Sequence, residues 1–150
     1  MYNGLLHAHS GLRWIALILL VAAIVNALVS RSKGTYEKKD KMLNLFAMIT
    51  LHTQLLIGLG LYFINSRHKV SFEGEWMTDA NGMHRFFGLE HFIGMLLAIV
   101  VITIGRKKAE KATENADKHK KIVTWYVIGL LLIIAFIPWP FRTALGGAWF

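Results

Sequence analysis

The chain has 150 residues, 55% of them hydrophobic and 17% charged, with a mean hydropathy of +0.44, a formal charge of +8 and no cysteine. The missing cysteine excludes disulfide scaffolds, thiolate metal sites, thiol nucleophiles and cysteine-held iron–sulfur clusters, and the charged fraction falls short of the roughly one quarter expected of a soluble domain. Five of the 17 Lys and Arg lie in residues 31–41 and seven in residues 106–121, which is the segregation of a membrane protein's basic loops; nucleic acid is not the expected partner.

Four apolar runs, 14–29, 42–64, 86–104 and 122–141, reach the roughly 20 residues needed to cross a bilayer once their flanks are included. They predict an all-α fold, an integral membrane four-helix bundle forming a single domain, with spans of about 9–30, 42–64, 85–105 and 122–140. The first run follows no basic segment and is longer than a signal-peptide core, so it reads as a retained anchor. It carries His9 and Arg13. His7 lies about 200° around the helix from His9, so only one of the two faces the bundle interior.

The second span holds His52 and Gln54, and the loop after it contains His68, read as solvated. The third holds Glu90 and His91. His84, two α-helical turns before His91, is a secondary candidate for a metal or a second haem. The run RKKAEKATENADKHKK reads as a solvated helical extension at the anionic inner leaflet, with His119 in water. The fourth span has no charged group and stops at IPWPF, where Pro138 and Pro140 cannot continue the hydrogen-bond ladder.

Orientation follows from the asymmetry of basic residues. Twelve Lys and Arg fall in the loops joining spans one to two and three to four, and only Arg13, Arg67, Lys69, Arg85 and Arg142 fall elsewhere. This places both termini and the 65–83 loop outside the cytoplasm. Trp14, Trp76, Trp139 and Trp149 then mark the outer interface and Trp125 the inner one. A shift of about 77 residues lays GLRW over GLEH, setting Arg13 against Glu90 in a possible duplication of the helix pair.

Polar groups in hydrocarbon are costly and usually functional. Counting roughly 1.5 Å per residue from the basic ends places His52 at ~15 Å, His91 at ~21 Å, Glu90 at ~22 Å, Arg13 at ~25 Å and His9 at ~31 Å. On this count His52 and His91 are the expected axial ligands of one b-type haem, with His9 as the substitute if helix one is the diagonal partner. Gly58, Gly60, Gly94 and Gly129 would leave room for the ring, and Arg13 or Arg85 would meet a propionate. An ion pair is expected between Arg13 and Glu90. The alternative for the histidines is structural: His52 bonded to a carbonyl or amide, His91 to a carboxylate. No phosphate-binding loop, HExxH or nucleophile elbow is present.

HSGLRW, LHTQLLIGLGLYF, RFFGLEHFIGMLLAIVVITIG and IPWPF together resemble small bacterial four-helix membrane proteins labelled cytochrome b-like, over nearly the whole chain. The resemblance implies the bacterial inner membrane, haem, and a link to respiratory electron transfer carried on His9, His52 and His91. It departs from better understood b-type cytochromes in that helix four offers no histidine. The leading expectation is an electron-transfer protein exchanging electrons with quinone or a respiratory partner. The alternatives are a haem-free accessory subunit of a larger respiratory or secretion complex, and a proton or ion pathway through Glu90, His91 and His52.

Overall fold

In lipid, a segment must satisfy its own backbone hydrogen bonds, which an isolated span does only as a helix. A computed structural model describes residues 2–64 and 82–142, and the four predicted spans are helical in it. Helix α1 covers Tyr2–Arg31 and α2 covers Lys38–Ile64. Helix α3 runs without a break through one α turn at Met83–Arg85, a π segment at Phe86–Glu90 and an α-helix at His91–Lys111. Helix α4 covers Asn115–Phe136. All four are long and apolar enough to cross a membrane.

The connections at residues 32–37 and 112–114 are short, so each forces its two helices antiparallel. Helix α4 packs on α3 and on α1, and α1 packs on α2, while the α2–α3 seam is the loosest of the four. The result is an up-down-up-down ring with α1 diagonal to α3 and α2 diagonal to α4. Both basic connections lie at one end, here the corner end; the start of α3 and the C-terminus of α4 lie at the other, the far end.

Each helix buries one narrow line. On α1 it runs through Arg13, Ala16, Leu20, Ala23, Ala27 and Ser30, with Ile24 buried beside it; on α2, through Asp40, Asn44, Ala47 and Leu51. On α3 it includes Ala98, Ile102, Gly105 and Ala109, and on α4, His119, Ile122, Tyr126, Gly129 and Ile133. Alternating steps of three and four are the spacing of a left-handed, near-parallel crossing, and the small residues let the backbones approach closely. The outward faces stay apolar, with Ile18, Leu56 and Leu131 each more than 60% exposed. Water would penalise that surface and lipid does not.

The corner end is tied by polar contacts. The Asp40 carboxylate accepts from the Glu37 backbone N–H at 2.7 Å, the reach-back of a capping box, and from Asn26 Nδ2 at 2.6 Å on α1. Gly34 turns the chain at φ +68°, where a side chain would be strained. Across the bundle, Asn115 Nδ2 donates to Gly34 O at 3.1 Å and His119 donates from Nε2 to Thr35 O at 2.8 Å. His119 corrects an expectation: it is fully buried in α4, its ring 5.1 Å from that of Tyr36. The basic run is likewise divided, ending α3 at Lys111 and starting α4 at Asn115.

Trp14 and Trp139 meet at the far end with ring centroids 6.4 Å apart, whereas Trp125 lies under the Lys108 ammonium at the corner end. Trp76 and Trp149 lie outside the described residues, as does His68. The two helices that follow basic connections begin at equivalent places of the 77-residue shift, Lys38 and Asn115. Their buried lines do not superpose under it.

Candidate functional site

A helix C-terminus leaves four carbonyls without intrahelical donors, and inside hydrocarbon no water supplies them. Because Pro138 and Pro140 end α4 at the far end, carbonyls at its last residue and just past it take donors from neighbouring helices. His91 donates from Nδ1 to Phe136 O at 2.7 Å, and Arg13 donates from Nη1 to Pro138 O at 3.3 Å. The guanidinium is also favourably placed by charge, since a helix C-terminus is the negative end of its dipole.

His9 stands one turn before Arg13 on the same face of α1. Its carbonyl accepts from Gln54 Nε2 at 2.7 Å. Its imidazole lies over Gly58, where a Cβ would come within 3.0 Å of His9 Cε1, so that glycine makes the space for the ring. The imidazoles of His9 and His91, on diagonal helices, face each other with centroids 6.3 Å apart and planes at 80°. Phe86 and Phe87 flank His91 at 5.9 and 6.1 Å. Among the described residues, His9 Nδ1 and Gln54 Oε1 are buried side-chain atoms with no hydrogen-bond partner.

The structure thus redirects two expected contacts. His91 meets His9 and not His52: His52 donates from Nδ1 to Met48 O at 2.8 Å, and its Nε2 lies 3.5 Å from Thr103 Oγ1. Thr103 is twelve residues beyond His91 on α3, about 18 Å of helical rise. The Cα depths are themselves unequal: α2 starts at Lys38 and α3 runs on to Lys111, which sets His91 about 30 Å and His52 about 21 Å from the corner ends of their helices, and side chains also lean toward their own helix N-terminus. Helices α2 and α3 are antiparallel, so their imidazoles lean apart.

The second redirected contact is the ion pair. Glu90 pairs with Arg85 at 2.7 Å, both partly exposed, and not with Arg13. The π segment explains it. The His91 backbone N–H bonds to Phe86 O, five residues back, and with such spacing Arg85 and Glu90, also five apart, fall above one another. The same segment removes the α-helical spacing that would have set His84 on the face of His91.

The glycines divide similarly. A Cβ on Gly94 would overlap the Phe136 ring, on Gly129 the Ile102 side chain and on Gly105 that of Trp125, so these positions are filled by neighbours; Gly60 faces open space. No group of three or more His, Asp or Glu side chains that could hold a metal ion occurs among the described residues.

One polar cluster escaped the sequence reading. At the corner end Tyr126 donates from its hydroxyl to Asn44 O at 2.9 Å, Asn44 donates from Nδ2 to the Tyr36 hydroxyl at 3.2 Å, and Tyr36 packs on His119. Burial pushes the Tyr36 hydroxyl above the ordinary phenol range. Tyr36, Asp40 and Asn44, each four residues from the next, were the available signal. The chain matches no protein-family model, no curated protein and no solved structure.

Proposed function

We propose that this chain is an electron-transfer protein of the bacterial inner membrane that holds one b-type haem between His9 and His91, with both termini outside the cytoplasm. The observation that carries the reading is the diagonal imidazole pair. The two rings stand 6.3 Å apart, and His9 and His91 are the residues that would hold the iron, by imidazole nitrogen. The donor set also fits: His91 gives Nδ1 to Phe136 O and keeps Nε2 for a ligand, and His9 Nδ1 is buried without a partner. When bound, haem supplies one-electron transfer at a potential tuned by its axial ligands.

The chain's own residues have separate tasks here. The Phe136 carbonyl fixes the tautomer and rotation of His91, as a hydrogen-bonded outer partner does for a metal-binding histidine. Gly58 admits the His9 ring. Arg13, one turn from His9, brings a positive charge suited to a propionate. Phe86 and Phe87 are the apolar side chains that a flat macrocycle would meet beside His91. The resemblance to cytochrome b-like four-helix proteins agrees with this reading, and in the orientation proposed from the basic residues the far end would be the periplasmic side. The ion-pathway alternative gains no support, because Glu90 turns to Arg85 and His52 lies by Thr103. The accessory-subunit alternative has no observation in its favour.

The test is an absorption spectrum of purified protein expressed with ample haem, oxidised and dithionite-reduced. A Soret band is expected, abolished or strongly shifted in His9→Ala and in His91→Ala, and kept in His52→Ala and His119→Ala. A colourless wild-type protein, or loss of the band in His52→Ala equal to that in His91→Ala, would overturn the assignment.

A further inference from the structure

We propose that the outward groove between α3 and α4 at the corner end binds the headgroup of an anionic phospholipid, its phosphate held by Lys108, Lys121 and the indole N–H of Trp125. The level of the groove follows from where the apolar surface stops. On α3 it ends at Gly105, before Arg106, Lys107 and Lys108; on α4 it begins at Ile122, directly after Lys120 and Lys121. The Trp125 side chain lies on the Gly105 backbone, so the two boundaries stand at one height. That height is where tryptophan and lysine meet lipid headgroups.

Three donors collect there without a protein acceptor. The Lys108 ammonium lies 4.4 Å from the centroid of the Trp125 ring. Lys121 precedes Trp125 by one helical turn, which makes the two neighbours on the surface of α4. Among the described residues neither lysine has an ion-pair partner, whereas Lys39 pairs with Glu37 and Arg106 with Glu110. Asp117, exposed one turn before Lys121, pairs with neither. The indole of Trp139 donates to Ile134 O, but that of Trp125 donates to no described residue. Two ammonium groups and one neutral N–H form a donor set for a phosphate oxygen.

The surface just inside the groove selects a lipid over a soluble phosphate. Ile104, one turn inward of Lys108, and Ile128, three residues inward of Trp125, are both exposed. Acyl chains cover such side chains while the headgroup stays among the lysines, whose own stems lie along apolar surface. A zwitterionic headgroup carries an ammonium that competes with the lysines for its phosphate, so a headgroup of net negative charge fits better. Lys33 and Lys38, at the connection on the opposite side of the ring, are equally cationic but have no tryptophan beside them among the described residues. Binding at the groove depends on neither haem nor the orientation of the chain.

The test is native mass spectrometry of the full chain in nonionic detergent, with phosphatidylglycerol or phosphatidylcholine of identical acyl chains added. One phosphatidylglycerol should be retained on the order of tenfold more tightly than phosphatidylcholine. Lys108→Gln with Lys121→Gln should abolish that preference, and Lys108→Arg with Lys121→Arg should keep it. Trp125→Phe, which leaves a ring but no N–H, should lose part of it. Lys33→Gln with Lys38→Gln removes the same charge elsewhere on the corner end and should leave it unchanged. Equal retention of the two lipids, or a preference that survives the Lys108 and Lys121 glutamine pair or Trp125→Phe intact, would overturn the proposal. An equal loss in the Lys33 and Lys38 pair would assign the preference to overall charge and overturn the groove as its seat. Retention of glycerol 3-phosphate with the same lysine dependence would make the ligand a soluble phosphate and overturn the lipid assignment.

Discussion

Arg13 and Glu90 carry opposite charges at similar counted depth within the spans, yet each found another partner. Arg13 is buried and donates to the end of α4, while Glu90 meets Arg85 at a partly exposed position. The consequences differ in size. Removing a charged donor from a part-buried carbonyl costs about 1–3 kcal/mol, whereas an exposed ion pair contributes about 0–1 kcal/mol. Arg13→Ala should therefore lower the midpoint of thermal unfolding in detergent clearly, and Glu90→Gln barely. Among charge reversals, the double swap Arg85→Glu with Glu90→Arg should recover the folded yield that either single change loses. The double swap Arg13→Glu with Glu90→Arg should not. Recovery in the second swap and none in the first would contradict the pairing.

At the scale of the helices, the glycines separate packing from space. Gly94, Gly105 and Gly129 are contact points where Phe136, Trp125 and Ile102 lie directly on a neighbouring backbone. Each added methyl there forces side chains off their rotamers, typically about 1–3 kcal/mol of overpacking. Gly94→Ala, Gly105→Ala and Gly129→Ala should each shift the unfolding midpoint downward, while Gly60→Ala should leave it unchanged or slightly raised through helix propensity. Equal shifts at all four would show that the close α3–α4 packing is not what these glycines provide. The π segment is the other decisive element. Its one extra residue per turn turns Glu90 outward to Arg85, and no pattern of apolar residues in RFFGLEH announces it.

For the molecule as a whole, the two basic connections share one end, joined by Asn115 to Gly34 and His119 to Thr35. That is the geometry the charge asymmetry requires, since both must stay on one side of the membrane. Because the chain has no cysteine, single introduced cysteines report without background. A cysteine at Thr35 should be protected from an impermeant reagent in intact cells, and one at Asn81 should be labelled. The reverse result would invert the proposed orientation.

Composition and charge alone determined the class of this protein: four helices of spanning length, basic connections at one end, Trp14 and Trp139 at the far end and a stop at IPWPF. Those features follow from the free energy of placing a residue type in water, interface or hydrocarbon, which is a property of the residue and its place along the chain. Which imidazole meets which was decided only by the tertiary structure. Outward and inward faces are both apolar here, so hydropathy carried no signal for rotation about the helix axis or for the order of helices around the ring. Depth counted from the apolar runs located His9, His52 and His91 but took Met42 and Gly105 for helix ends that lie at Lys38 and Lys111, and it ignored that side chains lean toward their own N-terminus, in opposite directions on α2 and α3. Diagonal packing brought His9 to His91, and the carbonyls of Phe136 and Pro138, at and just past the end of α4, drew in His91 and Arg13, because in hydrocarbon an acceptor must take its donor from the protein.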